Sequence, residues 1–320
     1  MSMLVDAKEK WAASVRNLIV GATSDEGGTR TSTVTVGGGT GLPFMRFDGE
    51  TPHKPVVAME IWDCVPDDWP TALMGALGDA VNSPADWARK CEEAGAELIC
   101  LKLQGTHPDF GDGTPEAAAA VVKSVLEATG LPLMILGCEN DEKDNNVLPQ
   151  CSQIAHGERC LMGYATEDNY KTIVACCQAD GHALIGLSPI DINIAKQVNI
   201  LVSEMDFPLE RVAMYQTTGA LGYGLEYTYS IQERGRLAAL SGDKMMALPV
   251  VCMVGQEAWR AKEAKATAEE HPELGDESTR GVYWELATAV TLLQAGSDIM
   301  VMRHPQAVAA LKDTIQNLIK

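Results

Sequence analysis

No apolar run in the 320 residues approaches the roughly 20 positions needed to cross a bilayer. The first 20 residues also lack a hydrophobic signal core, carrying Asp6, Lys8, Glu9 and Lys10 instead, so a cytoplasmic location is expected. Positive charge is scarce: 25 Lys and Arg stand against 44 Asp and Glu, for a net charge of −19. Such a surface repels phosphate backbones and anionic lipid, and no basic cluster offsets it, which argues against nucleic-acid and membrane-surface roles. Cysteine is present nine times, yet never as C-x-x-C or C-x-x-x-x-C. An odd number cannot all pair within the chain, and adjacent Cys176 and Cys177 suit neither a disulfide nor a zinc knuckle. Most of the others sit in or beside apolar runs, as small buried hydrophobes do, so no iron–sulfur cluster is expected in this chain. With 46% apolar and 22% charged residues, the chain can bury a substantial core, and disordered and fibrous classes are excluded.

What is present is a rhythm. From residue 56 onward, short runs rich in Val, Ile, Leu and Met alternate with longer charged stretches. The runs lie at 56–63, 98–104, 131–138, 160–166, 183–189, 211–217, 249–256 and 298–304. Polar residues do not alternate within them, so each reads as a strand buried on both faces. Between them are helix signals. Ser83 precedes Pro84, with Asp86 three positions after the serine, and Thr166 precedes Glu167 and Asp168. Gly130 and Gly181 are placed to end helices in a left-handed conformation. Ile194, Val198, Leu201, Val202 and Met205 keep the helical period. Eight strand–helix units with short connections imply parallel strands. A doubly wound sheet competes, but a count of eight within 56–320 favours closure into an α/β TIM (β/α)8 barrel.

Residues 1–55 break the rhythm. Segments 18–22 and 33–37 flank a polar stretch and are expected to form a β-hairpin extension capping the amino-terminal end of the barrel. The sequence Gly37-Gly38-Gly39-Thr40-Gly41 follows a strand, but neither Lys-Ser/Thr nor a helix follows it, so a turn is the better reading than a phosphate loop.

A barrel builds its site at the carboxyl ends of its strands. Those ends supply Asp63, Lys102, Gln104, Glu139, Thr166, Ser188, Asp191, Asn193, Gln216, Gln256, Glu257, Arg303 and His304, a rim rich in amides and hydroxyls. Lys102 is a candidate for imine chemistry, with pairing to Asp63 or Glu139 as the plain alternative. Asp180-Gly181-His182 with Gly186 nearly spells an axial-histidine motif, but its glycine is one place late and it straddles a helix stop, so His182 reads as structural. Most informative is the stretch from Thr217 to Ser230, where three glycines in six residues open a helix at a strand's carboxyl end.

At this stretch the chain resembles a known family. Gly21-Ala22-Thr23, Gly27-Gly28-Thr29-Arg30, Ser188-Pro189-Ile190-Asp191-Ile192-Asn193, Leu221-Gly222-Tyr223-Gly224-Leu225-Glu226-Tyr227, Gly242-Asp243-Lys244-Met245, Glu257-Ala258-Trp259-Arg260-Ala261-Lys262-Glu263-Ala264 and Arg303-His304-Pro305 occur in the expected order. They are similar to the small subunit of the corrinoid/iron–sulfur protein of the acetyl-CoA (Wood–Ljungdahl) pathway, the acetyl-CoA decarbonylase/synthase delta subunit family. The resemblance implies a TIM barrel that pairs obligately with a large subunit carrying the iron–sulfur cluster and the corrinoid domain. It implies a cobamide between that domain and this barrel. Its cobalt takes a methyl group from methyltetrahydrofolate through a separate methyltransferase and passes it to acetyl-CoA synthase, the partner of carbon monoxide dehydrogenase. In that role the barrel is a methyl-carrier subunit without a catalytic residue of its own.

A corrin ring is edged with neutral amides and needs amide and hydroxyl partners. Strand-end position nominates Gln104, Ser188, Asp191, Asn193, Gln216, Thr217, Gly222, Tyr223, Tyr227, Gln256 and Arg303 as its contacts. Where many relatives carry proline after an acidic residue, this chain has Gln216 after Tyr215. The long excursion 257–280 is expected to touch a partner subunit, and the interface to exceed about 2,000 Å². Two other functions fit the rim: a stand-alone methyltetrahydropterin:corrinoid methyltransferase using Asp63, Asp191 and Asn193, and an aldolase-type barrel using Lys102.

Overall fold

The computed structural model describes residues 8–320. Among these residues, all eight apolar runs form parallel strands. They are β3 (Val56–Trp62), β4 (Leu98–Lys102), β5 (Leu133–Leu136), β6 (Leu161–Ala165), β7 (Ala183–Leu187), β8 (Val212–Tyr215), β9 (Val251–Cys252) and β10 (Ile299–Met302). Their order is β8-β7-β6-β5-β4-β3-β10-β9. The Met214 N–H donates to the Pro249 carbonyl at 2.8 Å, and a parallel bridge from Met214 to Val250 joins β8 to β9, closing the barrel. A helix lies beyond each strand: Pro84–Glu93, Pro115–Ala128, Asp141–Ile154, Tyr170–Asp180, Ile192–Glu204, Leu225–Leu240, Glu277–Ala295 and Pro305–Ile319.

Side-chain alternation along the strands separates two cores. Val56, Ala58, Leu98, Cys100, Met134, Leu136, Ile185, Ala213, Val251 and Val301 fill the barrel. Val57, Met59, Ile99, Leu133, Val212, Cys252 and Met300 face the helices. Both sets are apolar because both faces of the wall are covered, which is why no strand shows polar alternation.

Two strands precede the barrel, β1 (Asn17–Val20) and β2 (Val34–Gly37), paired antiparallel. Their Leu18, Val20, Val34 and Val36 join the cluster inside the barrel. The hairpin's backbone bonds reach the loops that lead into strands. The Gly21 N–H donates to Arg159 and the Arg16 N–H to Ala247, both at 2.9 Å. Arg30, itself buried, donates to Glu158 and to the carbonyls of Leu126, Thr129 and Leu131.

Helix boundaries follow the capping chemistry with two departures. Ser83 accepts from the Asp86 N–H, and Gly181 is left-handed at the end of its helix. Thr166 departs only in register: its hydroxyl accepts from the N–H groups of Asp168 and Asn169 as an N-cap does, but in a turn that precedes the helix, which begins at Tyr170. Gly130 is not left-handed either. A Cβ there would lie 2.3 Å from the Thr31 hydroxyl, so the position needs space, not a special φ.

Candidate functional site

The inward alternation that fills the barrel brings polar side chains to the carboxyl end. Glu60 of β3, Lys102 of β4 and Arg303 just beyond β10 form its last layer with Tyr164 and Tyr215, and all five are buried. Arg303 grips Glu60 with two hydrogen bonds, 2.9 Å from Nε and 2.7 Å from Nη2, and Trp62 Nε1 donates to the same carboxylate at 2.6 Å. The guanidinium also lies over the Trp69 ring, 4.2 Å from its centroid. Burial pushes the Glu60 carboxyl up, but Arg303 and Lys102 outweigh that and hold it below the usual carboxylate range.

Lys102 spans the mouth. Its Nζ donates to Glu139 on the neighbouring strand's loop at 2.5 Å and to Gln256 beyond β9 at 2.9 Å. Gln256 in turn donates to Glu257, which accepts from Arg260. Glu139 sits at φ 67°, in a turn whose Cys138 and Glu139 N–H groups donate to buried Asp144. Asp63 takes no part in this chain. It accepts from the Gly105 N–H at 2.7 Å, and burial pushes its carboxyl up to about 6.

The glycine-rich stretch forms a tight loop ending in the helix Leu225–Leu240. Gly222 and Gly224 are left-handed, at φ 77° and 92°, a conformation that favours glycine. The loop is tied down on several sides. Gly219 N–H donates to Thr228, Leu221 N–H to Thr288 and Tyr223 N–H to Ala220. Trp284 Nε1 donates to the Leu221 carbonyl at 3.0 Å, and the Tyr223 hydroxyl donates to Glu263 at 3.0 Å. Backbone amides expected to face a ligand are thus largely spent on the protein, that of Tyr223 included.

The remaining nominated residues divide. Asp191 caps the helix Ile192–Glu204 and shares an open cleft of about 240 Å³ with Asn193 and Tyr227. Thr217 donates to the Ser188 carbonyl at 2.8 Å. Gln104 is buried in a short turn after β4. The Ser188 hydroxyl is buried with no partner among the described residues. Gln216 lies off the rim. Tyr215 takes the inward position, so Gln216 turns outward against Gly235 of the helix Leu225–Leu240, buried and with its amide unpartnered among the described residues. His182 is buried, its Nδ1 accepting from the Cys160 N–H and its Nε2 3.0 Å from the Ser152 carbonyl.

Two features escaped the residue-by-residue reading. Tyr164 points into the barrel beside Tyr215, with ring centroids 5.2 Å apart, and its buried hydroxyl has no partner among the described residues. A register shift between Met162 and Ala165 puts it there, and nothing in the apolar run marks that shift. The second is an apolar fringe. Val65, Phe110, Ile190, Leu221 and Tyr223 are exposed on loops after β3, β4, β7 and β8, and Tyr227, in the first turn of the helix Leu225–Leu240, is 65% exposed. Exposed aromatics at strand-end loops were legible only for the two tyrosines of the glycine-rich stretch.

The excursion after β9 is built around Arg280. Buried on the helix Glu277–Ala295, it donates to the carbonyls of Ala266, Thr267, His271 and Gly275. Among the described residues no three His, Cys, Asp or Glu side chains converge as for a metal ion, and no helix is long and apolar enough to cross a membrane.

Residues 24–317 match the family described as CO dehydrogenase/acetyl-CoA synthase delta subunit. The chain is 36% identical over 317 residues to the acetyl-CoA decarbonylase/synthase complex subunit delta of Archaeoglobus fulgidus, covering 97% of this chain and 70% of that protein. With the subunit delta of Methanosarcina mazei identity is 35%, over 97% of this chain and 72% of the relative. Among solved structures, dihydropteroate synthase of Xanthomonas albilineans superposes with a TM-score of 0.57 at 12% identity, over 87% of this chain and 98% of that one. The Thermus thermophilus enzyme gives 0.54 at 15%, with the same coverage. At these identities the likeness speaks to the barrel fold alone.

Proposed function

Because the chain belongs to the CO dehydrogenase/acetyl-CoA synthase delta subunit family, we propose that it is the small, non-catalytic subunit of a methyl-carrying corrinoid protein. In this reading its barrel mouth covers a cobamide held by a large partner subunit in the cytoplasm. A separate methyltetrahydrofolate methyltransferase loads the methyl group, and acetyl-CoA synthase, with carbon monoxide dehydrogenase, receives it.

One observation carries the reading: exposed apolar side chains stand beyond β3, β4, β7 and β8, beside a mouth whose charges are already paired with one another. Val65, Phe110, Ile190, Leu221, Tyr223 and Tyr227 offer a broad contact surface, while Glu60, Lys102, Glu139 and Arg303 satisfy each other. Such a face suits docking better than acid–base work, because its charges are spent on one another and exposed aromatic side chains are the kind enriched at interfaces. The same pairing gives Lys102 a plain structural role instead of imine chemistry.

The residues present fit a ring edged with neutral amides. The Ser188 and Tyr164 hydroxyls are buried near the mouth without partners among the described residues, and each can donate one hydrogen bond and accept others. Tyr223, Tyr227 and Phe110 supply apolar surface and exclude water. The cobamide would supply the metal that accepts and releases the methyl group. A pterin-binding alternative calls for free carboxylates. Here Asp63 is engaged by Gly105, and Asp191 by the N–H groups of Asn193 and Ile194, which favours the carrier reading.

The test is interface mutagenesis. Tyr227→Glu combined with Phe110→Glu is expected to weaken association with the co-expressed large subunit at least about tenfold, since buried aromatics dominate interface energies. Unchanged co-elution on size exclusion would overturn the docking face.

A further inference from the structure

Beside the glycine-rich loop, the first part of the excursion after β9 carries positive charge that no described residue neutralises. Acids outnumber bases by 44 to 25 in the sequence, and the cations in and around the mouth draw partners from that excess. Lys102 pairs with Glu139, Arg303 with Glu60 and Arg260 with Glu257. Lys262 and Lys265 do not. Both are exposed, and neither ammonium has a carboxylate within ion-pair distance among the described residues. The two acids of the same stretch are already engaged. Glu257 accepts from Gln256 and Arg260, and Glu263 accepts from the Tyr223 hydroxyl.

Local spacing gathers these lysines on one side. Ala261 and Ala264 are buried while Lys262 and Lys265 face solvent, so the short helix Lys262–Lys265 packs by its alanines and presents its ammonium groups together. The ledge is held at both ends. Before it, buried Trp259 donates from Nε1 to Glu285 of the helix Glu277–Ala295 at 2.7 Å. After it, the Ala266 and Thr267 carbonyls accept from buried Arg280. Along its side, the Tyr223 hydroxyl accepts from the Lys262 N–H at 3.3 Å, which joins the lysines to exposed Leu221 and Tyr223.

We propose that this ledge meets an acidic patch on the large partner subunit and sets the register of docking. The inference rests on the docking reading and adds its electrostatic half. Contiguity with Leu221 and Tyr223 assigns the ledge to the same partner as the apolar side chains. Opposite charges across an interface steer the encounter and fix orientation more than they add affinity. A chain of net charge −19 otherwise repels an acidic surface, so a local cationic ledge decides where such a surface can settle. Beyond Thr267 the excursion turns acidic, with Glu269, Glu270, Glu273, Asp276 and Glu277 exposed, which confines the attraction to one stretch. Two lysines in so acidic a chain are too few to hold a nucleic-acid backbone.

Carbodiimide coupling of the co-expressed heterodimer, read by peptide mass spectrometry, is the direct test, since it joins a lysine only to a carboxylate in contact with it. Lys262 or Lys265 should be linked to an Asp or Glu of the large subunit, whereas Lys90 and Lys244 should not. Those two also lack ion pairs among the described residues, but they stand in the last turn of the helix Pro84–Glu93 and in the loop into β9, at the amino-terminal end. A second measurement reverses the charge. With the large subunit limiting, Lys262→Glu combined with Lys265→Glu should be captured at least about tenfold less than the wild-type chain in competition. Lys90→Glu combined with Lys244→Glu, the same change in net charge, should be captured as well as wild type. If the ledge variant does not fold, Lys262→Gln with Lys265→Gln takes its place, with an expected loss of about threefold. An intact heterodimer without either link, or equal capture of the two charge-reversed chains, would overturn the ledge and leave the apolar contacts standing. Failure of the wild-type chain to form a heterodimer would instead overturn the docking reading, and this inference with it.

Discussion

Arg303 was nominated from its strand-end position as a ligand contact, and the structure gives it a different employment. Both Glu60 oxygens and the Trp69 ring hold it in the last layer of the barrel interior. Removing one partner of a buried pair leaves the other uncompensated, so Arg303→Met should destabilise the chain by about 3–5 kcal/mol. Urea unfolding would measure this, and a loss under about 1 kcal/mol would mean that Glu60 finds another partner. Asp63 makes the corresponding pH prediction. Burial pushes its carboxyl in the folded chain up to about 6, above its ordinary value of 3.8. Between those values the folded state binds more protons than the unfolded one. Stability should therefore fall as pH rises from about 4 to about 6 and level off above, and Asp63→Asn should flatten that slope. At this scale the sequence was only partly readable. Pairing of Lys102 with Glu139 follows from adjacent strand ends, whereas pairing with Asp63 does not occur because Gly105 takes that carboxylate. The inward turn of Tyr164 and the outward turn of Gln216 depend on where each strand's alternation stands at its last residue. A strand-end residue cannot be assigned to mouth or wall without that register.

Elements were more legible than side chains, since a strand buried on both faces is a continuous apolar run and needs no register to be seen. All eight runs hold strands. The run 249–256 is the weakest case: only Val251–Cys252 is strand, and Val254–Ala258 is already helix, so Gln256 reaches Lys102 from a helical turn. The excursion after β9, expected to dock a partner, gathers four of its carbonyls on the Arg280 side chain. Arg280→Ala removes hydrogen bonds from a charged donor to four carbonyls, each worth about 1.5–3 kcal/mol. Limited proteolysis within residues 261–276 should quicken at least about tenfold, while global unfolding changes less. Equal cleavage rates would show that the segment is held by other contacts. For the hairpin, Leu18→Ala should cost about 2–5 kcal/mol, because that side chain is wholly buried in the cluster inside the barrel. A much smaller loss in urea unfolding would mean that the hairpin contributes little to that core.

The whole molecule is a closed barrel with two unlike ends. The amino-terminal end carries the hairpin and the Arg30 cluster. The carboxyl end carries paired charges inside and apolar side chains outside. Family membership, shared with the subunit delta proteins of Archaeoglobus and Methanosarcina, turns that second end into a proposed docking face. The most direct measurement is anaerobic co-expression with the large corrinoid subunit, followed by size exclusion and a visible spectrum of each peak. The carrier role predicts a heterodimer with corrinoid absorption, and a colourless barrel when the small subunit is made alone. A colourless barrel that ignores the large subunit yet binds methyltetrahydrofolate would contradict it.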